Sequence, residues 1–246
     1  MVNFSIAFIV LTLAAFILFP SGYITQSPGP TYNVLGKSEN GREMIRVKNI
    51  QYDETNQDGE IMLLTVAVMG GPGYYLNVAS IAPMLLDSNT TILPREAVFK
   101  AGVSSDDAYQ EVVTQMNESQ HTSVNAALKY LKQETDININ PNDIKIAIDD
   151  VGGPSAGLAF ALGIIDKAGG VGLARGRKIA TTGACDDEGN VLPIGGAQQK
   201  MEAALGHGAS ILLVPEDNYA SLHDIPAGLT VIPVSTVTEA VEQLLK

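Results

Sequence analysis

The spacing of apolar positions changes several times along the chain, and each change predicts a different element. From Phe4 to Phe19 the run is apolar apart from Ser5 and Thr12, and no charged side chain occurs before Lys37. Extended to Ile24, this run is about 20 residues long, enough at ~1.5 Å per residue to span a ~30 Å hydrocarbon layer. A buried core helix would carry a polar stripe, and a cleaved leader would end in an A-x-A-like site. The reading is therefore an uncleaved transmembrane anchor over residues 1–24 whose partner is the lipid bilayer. Lys37, Arg42, Arg46 and Lys48 lie mostly beyond the window that sets topology, so charge does not orient the anchor. Ser27-Pro-Gly-Pro30 reads as an extended linker within residues 25–36, because proline fixes φ and restricts its predecessor. Residues 37–246 then form the soluble domain.

Within that domain Met44–Tyr52 and Ile61–Met69 have strand character. They flank the turn-rich stretch Asp53–Gly59, which predicts an antiparallel pairing of the two. Asn77–Leu86 and Asp106–Gln133 read as helices, the second with Val124, Leu128 and Leu131 at helical spacing. Ile144–Ile148 is a short strand. Ala156–Ile165 is apolar throughout, so it is buried all round or lies in an interface. Ile179–Thr182 and Val191–Ile194 read as strands about a hairpin tip at Asp186–Gly189, followed by a helix over Ala197–Leu205 closed by Gly206. Ile211–Val214 and Thr230–Val234 are further strands, and Thr236-x-x-Glu239 is a capping box that opens a last helix to Leu245. Antiparallel pieces mixed with βαβ-like ones favour an α+β fold over a doubly wound sheet.

Composition removes several function classes. With 46% hydrophobic and 17% charged residues the chain folds around a core and is not a disordered acidic tail. Fifteen Lys and Arg against 27 Asp and Glu give a net charge of −12, a field that repels phosphate backbones, so no nucleic-acid partner is expected. Cys185 stands alone and the imidazoles are only His121, His207 and His223, so neither a disulfide, a metal site nor a cofactor is implied. Cys185 reads as an inert thiol.

The candidate chemistry lies at Gly152-Gly-Pro-Ser-Ala-Gly157, between a strand and the apolar helix. Ser155 there is either a helix N-cap, with the glycines making a tight turn, or a nucleophile at a helix N-terminus whose free N–H groups stabilise an oxyanion. A nucleophile needs a base. One option is histidine, in the order Ser155, Asp217, His223, similar to the nucleophile elbow of α/β-hydrolases. The other is Lys200, whose neighbours three and four residues away are Gly196, Ala197, Ala203 and Ala204, with no carboxylate among them. An amine in such surroundings is desolvated and can lose its proton.

Gly153-Pro-Ser-Ala-Gly157, then Thr182-Gly183, then Val191-Leu-Pro-Ile-Gly-Gly-Ala-Gln-Gln-Lys200 resemble the proteolytic domain of Lon-type serine proteases, with the similarity running from about Ile144 to Pro215. The resemblance implies Ser155 as nucleophile, Lys200 as general base and Thr182 as a hydroxyl that helps hold the lysine, with Gly153, Pro154 and Ala156 supporting the site. The leading apolar segment and Pro28–Leu35 resemble the membrane-anchored branch, the PDZ-Lon proteins, which places the catalytic domain outside the cytoplasm on a single-pass anchor. The 48 residues from Arg95 to Asn142 are too few for a PDZ domain as well as the helices read there. No G-x-x-x-x-G-K-[ST] loop occurs, so the implied enzyme is an ATP-independent endopeptidase acting on unfolded or flexible polypeptides, and the family makes a ring of identical subunits plausible. Two departures stand out: Gly152 and Ala184 occupy positions where an acidic residue is common, with Asp149-Asp150 just upstream of the first. A histidine-dependent hydrolase and a non-catalytic tethered interaction protein are the competing readings.

Overall fold

The computed structural model describes residues 2–38, 40–50, 59–148 and 151–246 of the 246-residue chain. In chain order the elements begin with α1 (Val2–Leu18), β1 (Tyr23–Asn33), β2 (Ile45–Val47), β3 (Glu60–Met69), α2 (Val78–Ile81) and β4 (Thr91–Pro94). The long α3 (Ser105–Glu134) precedes β5 (Ile144–Ile146), α4 (Gly157–Gly169), β6 (Lys178–Thr181), β7 (Ala184–Cys185) and β8 (Val191–Leu192). Last come α5 (Ala197–Gly206), β9 (Ile211–Pro215), α6 (Glu216–Tyr219), β10 (Thr230–Val234) and α7 (Val237–Leu245). Two compact units are distinguished, Met1–Pro28 with Val66–Gln110, and Gly29–Thr65 with Glu111–Lys246.

In the first unit α1 is apolar, and the side chains described on it are exposed. The anchor expected to reach Ile24 is corrected here. The helix stops at Leu18, because Pro20 cannot continue it, and the Ser21 N–H turns to the Leu76 carbonyl at 2.7 Å. Ile24 is a fully buried residue of β1. At 17 residues α1 is about 25 Å long, and among the described residues no helix is long and apolar enough to cross a membrane. Strand β1 pairs antiparallel with β4, Tyr23 opposite Pro94 and Gln26 opposite Thr91. Arg95 ties this unit together: Nε donates to the Gly70 carbonyl (3.0 Å), Nη2 donates to the Ser21 carbonyl (2.9 Å), and the guanidinium lies 4.2 Å from the Tyr75 ring centroid.

The expected linker also proves to be sheet. Ser27–Pro30 belongs to β1, and its prolines are tolerated because β4 covers only Tyr23–Gln26, leaving them a single neighbouring strand, β3. Thr65 of β3 donates its hydroxyl to the Pro30 carbonyl at 2.6 Å, and any Cβ at Gly29 would run into that threonine.

The second unit is built on a parallel stack in the order β10-β9-β6-β3. Side chains alternate across it with period two. Ile61, Leu63, Ile179, Leu213 and Val234 face α3, α4 and α7, whereas Met62, Leu64, Ala180 and Leu212 pack with Met201, Ala203 and Ala204 of α5. Because both faces are covered, the first half of β3 is apolar without alternation. The predicted β2–β3 hairpin does not form. Strand β2 pairs antiparallel with β5, Arg46 opposite Lys145, while β3 joins the parallel stack; residues 51 and 52 of the expected first strand and 53–58 of the expected turn lie outside the described residues. The β7–β8 hairpin forms as expected, and so does the last helix, whose first turn is capped by Thr236 accepting from the Glu239 N–H at 3.1 Å. The parallel stack with these antiparallel pairs makes a mixed α+β fold.

Helix α4 is the centre of the core. Gly157 through Ala168 are all buried, as ten consecutive apolar residues require. The helix runs past that stretch through Asp166 and Lys167, because the Leu173 N–H donates to the Asp166 carboxylate and Lys167 Nζ donates to the Ile45 carbonyl at 2.9 Å.

Candidate active site

Ser155 lies in a single 3₁₀ turn, Pro154–Ala156, that runs directly into α4. Gly153 precedes it at φ 88°, a left-handed conformation that any residue with a Cβ resists. Gly157 follows it, and a Cβ there would sit 2.7 Å from the Cys185 nitrogen, so glycine alone lets the start of α4 rest on β7. The N-cap reading of Ser155 is set aside by geometry. Gly153 and Ala156 occupy the cap positions, neither helix start has a side-chain cap, and among the described residues no hydrogen bond engages the Ser155 hydroxyl. The half-buried hydroxyl stands where the first N–H groups of α4 and its dipole offer stabilisation to an anion.

Main-chain hydrogen bonds fasten this turn from both sides. The Gly183 N–H donates to the Ser155 carbonyl at 3.1 Å, the Leu158 N–H donates to the Gly183 carbonyl at 3.0 Å, and Thr182 Oγ1 donates to the Ser155 carbonyl at 3.5 Å. On the other side α3 holds the loop: Ser119 Oγ donates to the Pro154 carbonyl at 3.0 Å and the Gly153 N–H donates to the Val112 carbonyl at 3.2 Å. Ser119 and Val112 were not identified from sequence. The one trace of Ser119 is a second buried serine, Ser123, one turn later on the same face of α3.

Lys200 belongs to the first turn of α5 and is 2% exposed. No hydrogen bond or ion pair among the described residues engages its Nζ, and burial brings its amine down from 10.5 to about 7. Topology decides which end of the sheet it occupies. Helix α5 lies on the crossover between the parallel strands β6 and β9, so it runs against them and its first turn stands at their carboxyl ends. Thr182 follows directly on β6 at that end, 1% exposed, with its N–H donated to the Leu213 carbonyl at 3.1 Å. By strand alternation Thr182 points to the same face as Ala180, the face that α5 covers. Ser155, Thr182 and Lys200 thus gather at the carboxyl edge of the parallel strands, where α/β sheets place their ligands.

The histidine arrangement is not formed. His207 ends α5, its Nδ1 2.9 Å from the Ala203 carbonyl, and among the described residues no hydrogen bond joins Ser155, Asp217 and the His223 ring. Cys185 is buried and its thiol is pushed up to about 12, chiefly by that burial, in keeping with an inert side chain. The glycine at 152 has a steric cause: a Cβ there would collide with Cγ1 of Val112, so a side chain at this position requires Val112 to shift. Asp149 and Asp150 lie outside the described residues.

The Lon protease (S16) C-terminal proteolytic domain matches residues 89–246. The Lon protease of Azospirillum brasilense is 37% identical over 137 residues, 50% of this chain and 17% of that protein. Those of Rhizobium meliloti (strain 1021) and Vibrio parahaemolyticus serotype O3:K6 are 27% and 28% identical over 231 and 225 residues, covering 88% and 85% of this chain. The chain spans about a quarter of the length of these last two relatives. With the family match covering well over half of the chain and including the turn of Ser155 and the helix of Lys200, the chain belongs to the Lon protease (S16) C-terminal proteolytic domain family.

Proposed function

We propose that this chain is a serine endopeptidase that uses Ser155 as nucleophile and Lys200 as general base. The observation that carries the reading is the buried Lys200 amine at the same sheet edge as the Ser155 hydroxyl, neither of them hydrogen-bonded among the described residues. In the reaction the neutral amine takes the Ser155 proton as Oγ bonds to the scissile carbonyl carbon, and the oxyanion faces the start of α4. The resulting ammonium then protonates the departing amine, and water hydrolyses the acyl-enzyme by the same route in reverse. Thr182 braces the serine turn through its hydroxyl.

The substrates are unfolded or flexible polypeptide segments, which can lie extended at the sheet edge where Ser155 and Lys200 stand. ATP has no part in the cleavage. The exposed apolar side chains of α1, among them Phe4, Phe8, Leu11 and Phe16, seat in the hydrocarbon of a bilayer and hold the catalytic domain at its extracytoplasmic face. Identical subunits assemble as a ring.

The test uses purified chain and a quenched fluorescent flexible peptide, with wild type, Ser155→Ala and Lys200→Met compared with and without ATP. Both variants lose turnover and ATP changes nothing; turnover in either variant rejects the dyad, and stimulation by ATP rejects the energy-independent reading. Flotation with liposomes tests the anchor: wild type floats, and a chain lacking residues 1–18 stays at the bottom of the gradient.

A further inference from the structure

Because the Lys200 amine has no partner among the described residues, its environment depends on how firmly the first turn of α5 is held. That turn is weakly specified by its own sequence. It is entered through Gly195 and Gly196, the latter at φ 67°, and no side chain caps the helix. Among the described residues nothing lies within 4 Å of where a Cβ on Gly195 would be.

Two side-chain amides from outside this entry supply the missing restraint. Asn218 of α6 grips Ile194 on the near side of the glycines, its Oδ1 accepting from the Ile194 N–H at 2.8 Å and its Nδ2 donating to the Ile194 carbonyl at 3.0 Å. Gln198 does the reverse on the far side. Its Oε1 accepts from the His223 N–H at 3.1 Å and its Nε2 donates to the His223 carbonyl at 3.3 Å. The two clamps imitate rungs of a sheet and fasten both flanks of the glycine pair to one segment, residues 216–223.

We infer that Asn218 is a positioning residue for Lys200, which by gripping Ile194 across the glycine pair holds the first turn of α5 closed over the amine. This rests on the dyad reading of Ser155 and Lys200. Among the described residues charge does not compete as an explanation. The titratable groups on the surrounding elements are Glu202 and His207 on α5, Glu60 on β3, Lys178 on β6, Cys185 on β7, Glu216, Asp217 and Tyr219 on α6, and His223 and Asp224 beyond it, and among the described residues burial alone acts on Lys200. Loosening the turn admits water to the amine and lets it keep its proton to higher pH.

The experiment measures kcat and KM on a flexible fluorogenic peptide from pH 6 to 10 for wild type, Asn218→Ala, Gln198→Ala, Tyr219→Ala and Lys200→Met. In Asn218→Ala the midpoint of the kcat profile rises by about one pH unit or more with KM little changed, so kcat at pH 7 falls about fivefold and recovers near pH 9.5. Gln198→Ala moves the midpoint the same way, and Tyr219→Ala, on the same segment but in neither clamp, leaves it in place. An equal fall of kcat at every pH in Asn218→Ala overturns the inference, as does an unmoved midpoint; should that variant fail to fold, an unmoved midpoint in Gln198→Ala does so. Turnover in Lys200→Met overturns the dyad reading and this one with it, whereas its loss there beside an unmoved Asn218→Ala midpoint overturns this inference alone.

Discussion

Replacing Lys200 by methionine removes a buried amine and leaves an unbranched chain of similar length, so the change in stability reports what burying that amine costs. In the folded chain its pKa is about 7 against 10.5 for the free group. The unfolded state therefore binds more protons between those values, and the stability contributed at this position rises with pH across that window. Below pH 7 the amine is protonated in both states and the full desolvation cost is present; above about pH 10.5 it is neutral in both and the cost is gone. From the two values the cost is about 4 kcal/mol at pH 7 and about 2 kcal/mol at pH 9. Urea unfolding of wild type and Lys200→Met at pH 7, 8 and 9 measures it directly. The variant is the more stable protein at pH 7, and its advantage narrows by about 2 kcal/mol on going to pH 9. The other titratable groups are common to both proteins and drop out of the difference. A constant gap across the three pH values refutes a depressed amine, whatever the absolute stabilities.

Other consequences follow from named contacts. Gly152→Asp drives a side chain into Val112 and distorts the loop that holds Ser155, so peptidase activity falls at least tenfold; Gly152→Asp with Val112→Ala recovers part of it, read in the same peptide assay. Phe160→Ala empties the fully buried centre of α4 and costs about 3–5 kcal/mol in urea unfolding. The Cys185 thiol, raised to about 12, resists a thiol-disulfide reagent at pH 8 until denaturant exposes it, and prompt reaction in the native protein contradicts its burial.

The elements that sequence identified well were those whose signal is local. The uninterrupted apolar run of α4, the helical spacing of α3, the hairpin tip at Asp186–Gly189 and the threonine cap of α7 each carry their own instruction, and each forms. The misreadings all concern partners distant in the chain. Two neighbouring strand-like segments were paired with each other, whereas β3 takes β6 more than a hundred residues away and β2 takes β5. Two prolines suggested a linker, because whether a proline is tolerated in a strand depends on how far the neighbouring strand extends, and β4 ends short of them. The apolar N-terminal run was read as one span because hydropathy does not register that Ile24 is claimed by a sheet.

The candidate site divides the same way. Ser155 and Lys200 were legible because glycines and small residues crowd around them in sequence. Ser119, Val112 and Asn218 were not, since each acts on a backbone group 24 to 41 residues away. Gly152 drew notice as a departure from the family pattern, and only the position of Val112 gives it a reason.

The central claim is that a neutral Lys200 activates Ser155. The direct measurement is the pH dependence of covalent labelling of Ser155 by an activated serine-directed acylating probe, followed by intact mass and peptide mapping in wild type, Ser155→Ala and Lys200→Met. The account predicts one label per chain on Ser155, a rate that rises through a midpoint near pH 7, and no labelling above background in either variant. Labelling of Ser155 in Lys200→Met at the wild-type rate, or modification mapped to another residue, contradicts it.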